Sequence, residues 1–348
     1  MAVNHVPSVT VLFDRLLAVF PPSEQPKPKP TVLVLGSGWG SHAFVSNLDR
    51  NKYDVKVVSV QQSRLNQPRM IADLYPSFKK LPVKPVLDKC LSVNPQNQSV
   101  LGKKSRYEYD YLVIATGSEP NDFGTKGVKE HCLMFKTVDD LQKLRNHLQD
   151  GKRLTVIGAG PTGIELAFKL QSLGHTVTII EASQTILPGF SEWMQSQTMK
   201  LLNERNINVR LNMKITKIDE STISTPDGLT RRDPILIWTC GVKPTEFVRE
   251  LTPSGRQLQT DDNLMFKPRI YALGDIVAAR GPPTAQNAKQ QGTYLANHFN
   301  NDFKSPSTYK YDEKGRVLDT TESILVEYKG QTMTLPPLFR SVLYYFTD

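Results

Sequence analysis

Cysteine is scarce. The 348 residues hold three, Cys90, Cys132 and Cys240, far apart and without a Cys-x-x-Cys spacing. This excludes a disulfide framework or a zinc site, and no metal centre is predicted. Thiols used so sparingly serve as small buried hydrophobes. Long apolar runs are also missing. No stretch reaches the ~20 residues that a membrane-spanning helix needs. The apolar run from Val9 to Phe20 is broken by Asp14-Arg15 and followed by Pro21-Pro22. It has no positive n-region and no small-residue cleavage site, which argues against a secretory signal. It is poor in Arg for a mitochondrial presequence. A short presequence, a helix packed on the protein and a helix lying in a membrane interface all fit it. Lys and Arg form no long block, although the net charge is +9. Nucleic acid is therefore not an expected partner. The basic balance suits an anionic membrane surface or a negatively charged substrate.

Against these absences stand two glycine fingerprints. The first is Thr31-Val32-Leu33-Val34-Leu35-Gly36-Ser37-Gly38-Trp39-Gly40-Ser41, and the second is Leu154-Thr155-Val156-Ile157-Gly158-Ala159-Gly160-Pro161-Thr162-Gly163. Each is an apolar run that enters a Gly-x-Gly-x-x-[Gly/Ser] turn and leaves as a helix. The first Gly makes the turn, the second admits the phosphates, and the third lets helix and strand pack closely. The helix N-terminus then offers free N–H groups to the pyrophosphate. Two such motifs, separated by a domain's length, suggest two bound dinucleotides. Passing a hydride from a nicotinamide to a flavin is the usual reason to hold both.

The pattern predicts an α/β fold with two Rossmann-like dinucleotide-binding domains. A Pro-rich spacer, Pro21 to Pro30, ends an N-terminal segment over residues 1–30 and reads as extended. Residues 31–150 and 245–305 form one domain, into which a second domain, residues 151–244, is inserted. Residues 306–348 form a short C-terminal segment. Residues 61–87 read as irregular, and Leu91 to Tyr109 as a small antiparallel excursion. Helices are predicted over 141–148 and from about Glu192 to Arg205.

Glu181 ends the strand after the second motif, about 20 residues past its glycines, where an acid accepts from a ribose 2′-OH and repels a 2′-phosphate. The second site should therefore prefer NADH to NADPH. The first site lacks that acid, and Ser59-Val60 stands in its place. Either Ser59 or the backbone holds that ribose, or the site is weakened. Ala115-Thr116-Gly117 supplies a small-residue turn, and Gly274-Asp275 places a carboxylate after a strand.

With these motifs the chain resembles the two-dinucleotide-binding flavoprotein reductases, and within them the type II, non-proton-pumping NADH:quinone oxidoreductases. The resemblance runs from about residue 31 to 300. It is carried by Gly36-Ser37-Gly38-Trp39-Gly40, Glu119-Pro120-Asn121-Asp122-Phe123-Gly124, Trp238-Thr239-Cys240-Gly241 and Pro282-Pro283-Thr284-Ala285-Gln286. It implies FAD held by Gly36, Gly38, Gly40, Thr116, Gly117 and Asp275. It implies NADH held by Gly158, Gly160, Gly163, Glu181 and Gly241. Trp39, Ser41, Ser59, Pro161, Thr162, Gly274 and Ala285 complete the implied cofactor-binding set. In this branch a Ser in place of the first-site acid is usual.

The implied reaction is hydride transfer from NADH to flavin N5, then two-electron reduction of a quinone. Glu165 matches a family Glu near the flavin–nicotinamide contact, where a carboxylate orients the nicotinamide or relays a proton. Its plainer reading is a helix-surface Glu. Gln286 and Gln290, at i and i+4 on one helical face, match the helix lining the quinone side of the flavin. Their plainer reading is two exposed polar residues. The cysteines match no redox pair beside a flavin, so electrons should pass directly to an external acceptor.

The chain departs from the family in two places. Gln62-Ser63-Arg64-Leu65-Asn66-Gln67-Pro68 replaces an aromatic stretch beneath the flavin, keeping only Pro68. The tail from Pro336 is the start of an amphipathic helix, with Leu338, Val342 and Tyr345 on one stripe and Phe339, Leu343 and Phe346 on the next. Packing on the domain, a membrane contact and a homodimer contact all fit that tail. The implied localisation is peripheral on a membrane, the mitochondrial inner membrane in a eukaryote or the cytoplasmic face of the plasma membrane in a bacterium. A soluble cytoplasmic protein with a soluble acceptor, and a trimmed relative that binds NADH without turnover, are the alternatives.

Overall fold

A computed structural model describes residues 28–60, 81–148, 151–220, 222–226, 228, 230–232, 235–304 and 308–339. The readings of Val9 to Phe20, of 62–68 and of the 342–346 stripes lie outside these residues, as does most of the Pro-rich spacer.

The first sheet follows from short β-branched runs with no polar face. Thr31–Leu35 (TVLVL) is buried from Val32 to Leu35. Such a strand needs partners on both edges and cover on both faces, the situation of a parallel sheet. It pairs in parallel with Asp54–Ser59 on one side and Tyr111–Ile114 on the other. Among the described residues the sheet has six strands, extended by Val86–Leu87 at one edge and by Ile270–Ala272 and Met265–Lys267 at the other. Two helices, Trp39–Asn47 and Ala285–Asn300, pack against each other beside it. Phe44 and Phe299 meet edge to face at 5.4 Å in the crossing. The predicted antiparallel excursion is the sheet of Cys90–Asn94, Ser99–Gly102 and Arg106–Glu108.

The second sheet repeats the logic. Arg153–Ile157 lies between Thr176–Ile180 and Ile235–Trp238, all parallel. The helices Pro161–Ser172 and Glu192–Glu204 belong to this unit. A capping box at Thr137 starts the helix Val138–His147. Ser118–Pro120 and Val242–Pro244 pair as the antiparallel crossing between the units.

Two elements lie near the expected boundaries. Leu133–Met134 pairs with Ile237–Trp238 and forms an edge of the second sheet. Leu144 joins the core of that sheet. The open edge of a buried parallel strand needs a partner, and two residues are too few to show a period in the sequence. The other is in the 306–348 segment. Arg316–Asp319, Ile324–Tyr328 and Gln331–Leu335 form an antiparallel sheet, and Leu318 and Leu325 are buried in the second unit's core. Arg205 pairs with Glu322, and the Arg316 guanidinium stands 5.0 Å over the Phe190 ring. Leu338 remains 73% exposed.

Candidate functional site

The first glycine loop is built by backbone needs. Gly36 has φ +106°, and a Cβ there would collide with the Ala115 carbonyl. Only glycine fits both demands. Gly38 and Gly117 are the opposite case, since a Cβ at either meets nothing within 4 Å. The space beside them is open to a ligand. Gly38 is also the N-cap of Trp39–Asn47 and gives that helix no side-chain cap. The Ser37 and Ser59 hydroxyls lie 2.9 Å apart. Where a carboxylate would hold a ribose, two hydroxyls stand together.

Ser41 is fully buried, and its Oγ has no hydrogen-bond partner among the described residues. Asp275 is tied from the other unit. Its Oδ2 accepts from Ser118 Oγ at 2.5 Å and lies 3.5 Å from Lys136 Nζ. Gly274 N donates to Gln291 Oε1 at 2.5 Å. Thr116 Oγ1 is 3.4 Å from Thr245 Oγ1. Lys136, Ser118 and Gln291 escaped the sequence reading, because nothing local to them marks a long-range partner. The open loop, the helix start and the paired hydroxyls fit the pyrophosphate and ribose of a dinucleotide.

The second loop is similar but carries its acid. Gly158 has φ +106°, and a Cβ there would lie 2.9 Å from Cys240 Sγ. At Gly163 a Cβ would strike the Gly158 carbonyl, while Gly160 faces open space. Pro161 occupies the first turn, where its missing N–H costs nothing. Pro161 and Thr162 are exposed at the mouth. Glu181 Oε2 accepts from Ala159 N at 2.7 Å and Oε1 from Ser183 N at 2.8 Å. The carboxylate thus sits on the glycine loop itself. Gly241 lies against the Phe123 ring, which is 64% exposed.

Glu165 is not on a free helix surface. The Asp319 N–H donates to its Oε1 at 3.2 Å, so the C-terminal sheet covers it. Burial, and then the charge of Asp319, push its pKa up to about 8 against the lowering Asp319 hydrogen bond. A raised folded pKa means that the folded state binds a proton which the unfolded chain releases. Glu165 therefore favours folding most below about pH 4.5, its ordinary value, and this contribution is lost as pH rises to about 8. Glu165→Gln removes the slope. Its unfolding free energy should exceed the parent's by a margin that widens from pH 5 to pH 9, reaching on the order of 2 kcal/mol after discounting for the partly exposed side chain, with Tm rising in step. A margin independent of pH would show that Glu165 ionises normally.

Near the start of Ala285–Asn300 the expectation for Gln290 changes. Its Nε2 donates to Asp312 O at 2.7 Å and its Oε1 accepts from Asp312 N at 2.9 Å. Both amide ends are spent on one backbone position, and Gln290 is a strut for the 309–312 segment. Gln286 differs: among the described residues only its Oε1 is taken, accepting from Tyr311 Oη at 2.6 Å. Ala285 is exposed beside it. Lys289 stands 4.5 Å over the Trp39 ring. Burial, and next the charge of Lys314, lower the Lys289 pKa to about 8.

The sequence profile described as pyridine nucleotide-disulphide oxidoreductase matches residues 30–292, spanning both glycine loops and the Gln286 helix. The chain belongs to that family. Among its relatives is a protein of Yarrowia lipolytica named external alternative NADH-ubiquinone oxidoreductase, mitochondrial. It is 28% identical over 378 residues, covering 85% of this chain and 64% of the relative. A Haemophilus influenzae protein named type II NADH:quinone oxidoreductase is 28% identical over 273 residues, covering 61% of each chain. This family member thus spans less than two thirds of either relative's length. Its fold matches NDH2 from Plasmodium falciparum, solved in complex with NADH. The TM-score is 0.78 at 19% identity, over 92% of this chain and 96% of that one. The two dinucleotide-binding units are therefore those of the family fold.

Proposed function

We propose that this chain binds FAD at the first glycine loop and NADH at the second, and carries two electrons from NADH to a quinone without pumping protons. The supporting observation is the pair of glycine loops in one chain, one with an acid at the ribose position and one with paired hydroxyls. Bound FAD supplies the two-electron carrier between the pyridine nucleotide and the acceptor. The residues do the rest. Glu181 accepts from the NADH ribose and excludes a 2′-phosphate. The N–H groups at the two helix starts face the pyrophosphates. Asp275, held by Ser118 and Lys136, fixes the far end of the flavin. Glu165, protonated at neutral pH, orients the nicotinamide and holds a proton near it.

Burial pushes the Cys90, Cys132 and Cys240 thiols up to about 12, which leaves them unreactive at neutral pH. A route through a protein disulfide is thereby disfavoured, and electrons leave for an external acceptor. The names of the relatives support a quinone, and Gln286 is the side chain proposed to meet it. Peripheral attachment to a membrane, mitochondrial in a eukaryote, belongs to the same proposal. Among the described residues no helix is long and apolar enough to cross a membrane.

The test is the visible spectrum of the purified protein before and after anaerobic NADH. Flavin bands should be present, bleach with NADH and return on adding ubiquinone-1. A colourless protein that takes up no FAD would overturn the proposal. Bleaching without return would keep the first half-reaction and reject the quinone.

A further inference from the structure

Among the described residues four large apolar side chains sit on left-handed backbone: Phe123, Leu187, Leu264 and Phe303. That conformation strains a bulky residue. Three of the four offset the strain by packing. Leu187 and Leu264 are 0% exposed, and the Phe303 ring lies 5.0 Å from Tyr111 and 4.9 Å from Phe299 between centroids. Phe123 is the exception. Its φ is +51°, and it is 64% exposed. The next residue, Gly124, takes a φ of +70° without strain, and a glycine at 123 would do the same. Strain without burial points to a use for this ring outside the folded core.

The loop that carries the ring is tied on every side. The Asn121 N–H donates to Gly241 O at 3.3 Å, and Trp238 Nε1 donates to Asn121 O at 2.9 Å. The Phe123 N–H donates to Asn121 Oδ1 at 3.0 Å. Lys129 and Lys243 pair with the Asp122 carboxylate at 3.2 and 3.3 Å. One edge of the ring rests on Gly241, where a Cβ would lie 2.6 Å from Phe123 Cζ. The sheet order then places it. Arg153–Ile157, which ends on the second glycine loop, has Thr176–Ile180 on one side and Ile235–Trp238 on the other. Glu181 follows the first neighbour, and Thr239-Cys240-Gly241 follows the second. A dinucleotide lies across the carboxyl ends of such strands, with its pyrophosphate on the glycine loop. With its adenosine ribose at Glu181, its nicotinamide half is directed toward Gly241. That segment adjoins the loop, since Thr239 Oγ1 donates to Ile157 O at 2.8 Å and a Cβ at Gly158 would lie 2.9 Å from Cys240 Sγ. The strand Ser118–Pro120 leads from Asp275, at the first site, to the Gly241 end of its partner Val242–Pro244.

We propose that Phe123 is a binding residue for the nicotinamide half of the dinucleotide at the second loop, its exposed ring covering that half on the Gly241 side. This rests on the reading of the second loop as the NADH site. A ring already fixed by its loop offers a large apolar contact area with little ordering left to do when the ligand arrives. A ligand that lacks the nicotinamide half gains nothing from it.

Calorimetric titration of the FAD-loaded protein with NAD⁺ and with ADP tests this without turnover. ADP carries the adenosine and both phosphates but no nicotinamide half. Phe123→Gly should weaken NAD⁺ binding about tenfold, the scale of one well-packed aromatic contact, and leave ADP binding unchanged. Phe123→Tyr keeps the ring and should bind NAD⁺ as the parent does. Glycine relieves the left-handed strain, so the Tm of Phe123→Gly should not fall. If Phe123→Gly leaves NAD⁺ affinity unchanged while Glu181→Ala lowers it, the inference is overturned and the reading of the second loop stands. If neither substitution weakens NAD⁺, that reading fails and the inference with it. Equal weakening of NAD⁺ and ADP, with or without a lower Tm, would show that the ring serves only the loop itself. Should Phe123→Gly not fold, Phe123→Asn takes its place with the same expected outcomes, because asparagine also accepts left-handed backbone.

Discussion

Replacing Glu181 with alanine weakens NADH binding about 10- to 100-fold and leaves NADPH binding little changed. An ionised carboxylate has about four acceptor positions. Two are taken by the Ala159 and Ser183 N–H groups, at 2.7 and 2.8 Å. The others are open to the ribose hydroxyls. A hydrogen bond to a charged group contributes about 1.5–3 kcal/mol, and about 1.4 kcal/mol is tenfold in affinity. The variant also frees the Ala159 N–H in the loop that must hold the pyrophosphate. NADPH should lose less, because on the proposed reading the carboxylate repels its 2′-phosphate in the parent. Fluorescence titration of both nucleotides against parent and variant gives the ratio. An unchanged preference would remove Glu181 from the ribose site.

A loss of stability is expected from Gly292→Ala, although alanine is the better helix former. In the middle of Ala285–Asn300 the exchange should favour the helix by about 1 kcal/mol on propensity alone. The packing is opposed. A Cβ at Gly292 would overlap the Gly40 carbonyl oxygen and lie 2.9 Å from Phe44 N. Both are backbone atoms of Trp39–Asn47, the helix that starts on the first glycine loop. Backbone in a packed helix cannot give way as a side-chain tip can. Overpacking of this kind costs about 1–3 kcal/mol or more, so the clash wins. We expect a lower Tm and loss of FAD on gel filtration, with NADH binding by the second unit retained. A variant of normal Tm that keeps its flavin would show that the two helices separate freely.

The glycine loops were legible in the sequence because their requirements are local. Gly36 and Gly158 answer to backbone angle, both with φ +106°, and both follow buried β-branched strands. Glu181 was legible for a related reason, since the length of one helix and one strand brings it back to the loop. Gln290 shows where locality ends. Its place on a helical face was read correctly from the i, i+4 spacing, but Asp312, which occupies its amide, is 22 residues away.

The amino-acid order alone thus determined the α/β class, the two dinucleotide loops and the acid that distinguishes them, because these depend on neighbours within a turn or two. Which unit owns Leu133–Met134, what covers Glu165 and what ties Asp275 were decided only by the tertiary structure. Lys136 and Asp275 lie 139 residues apart, and Asp319 and Glu165 lie 154 apart. Contacts of that separation leave no period or spacing in the chain. They exist only after two sheets have buried their strands and set the intervening loops side by side.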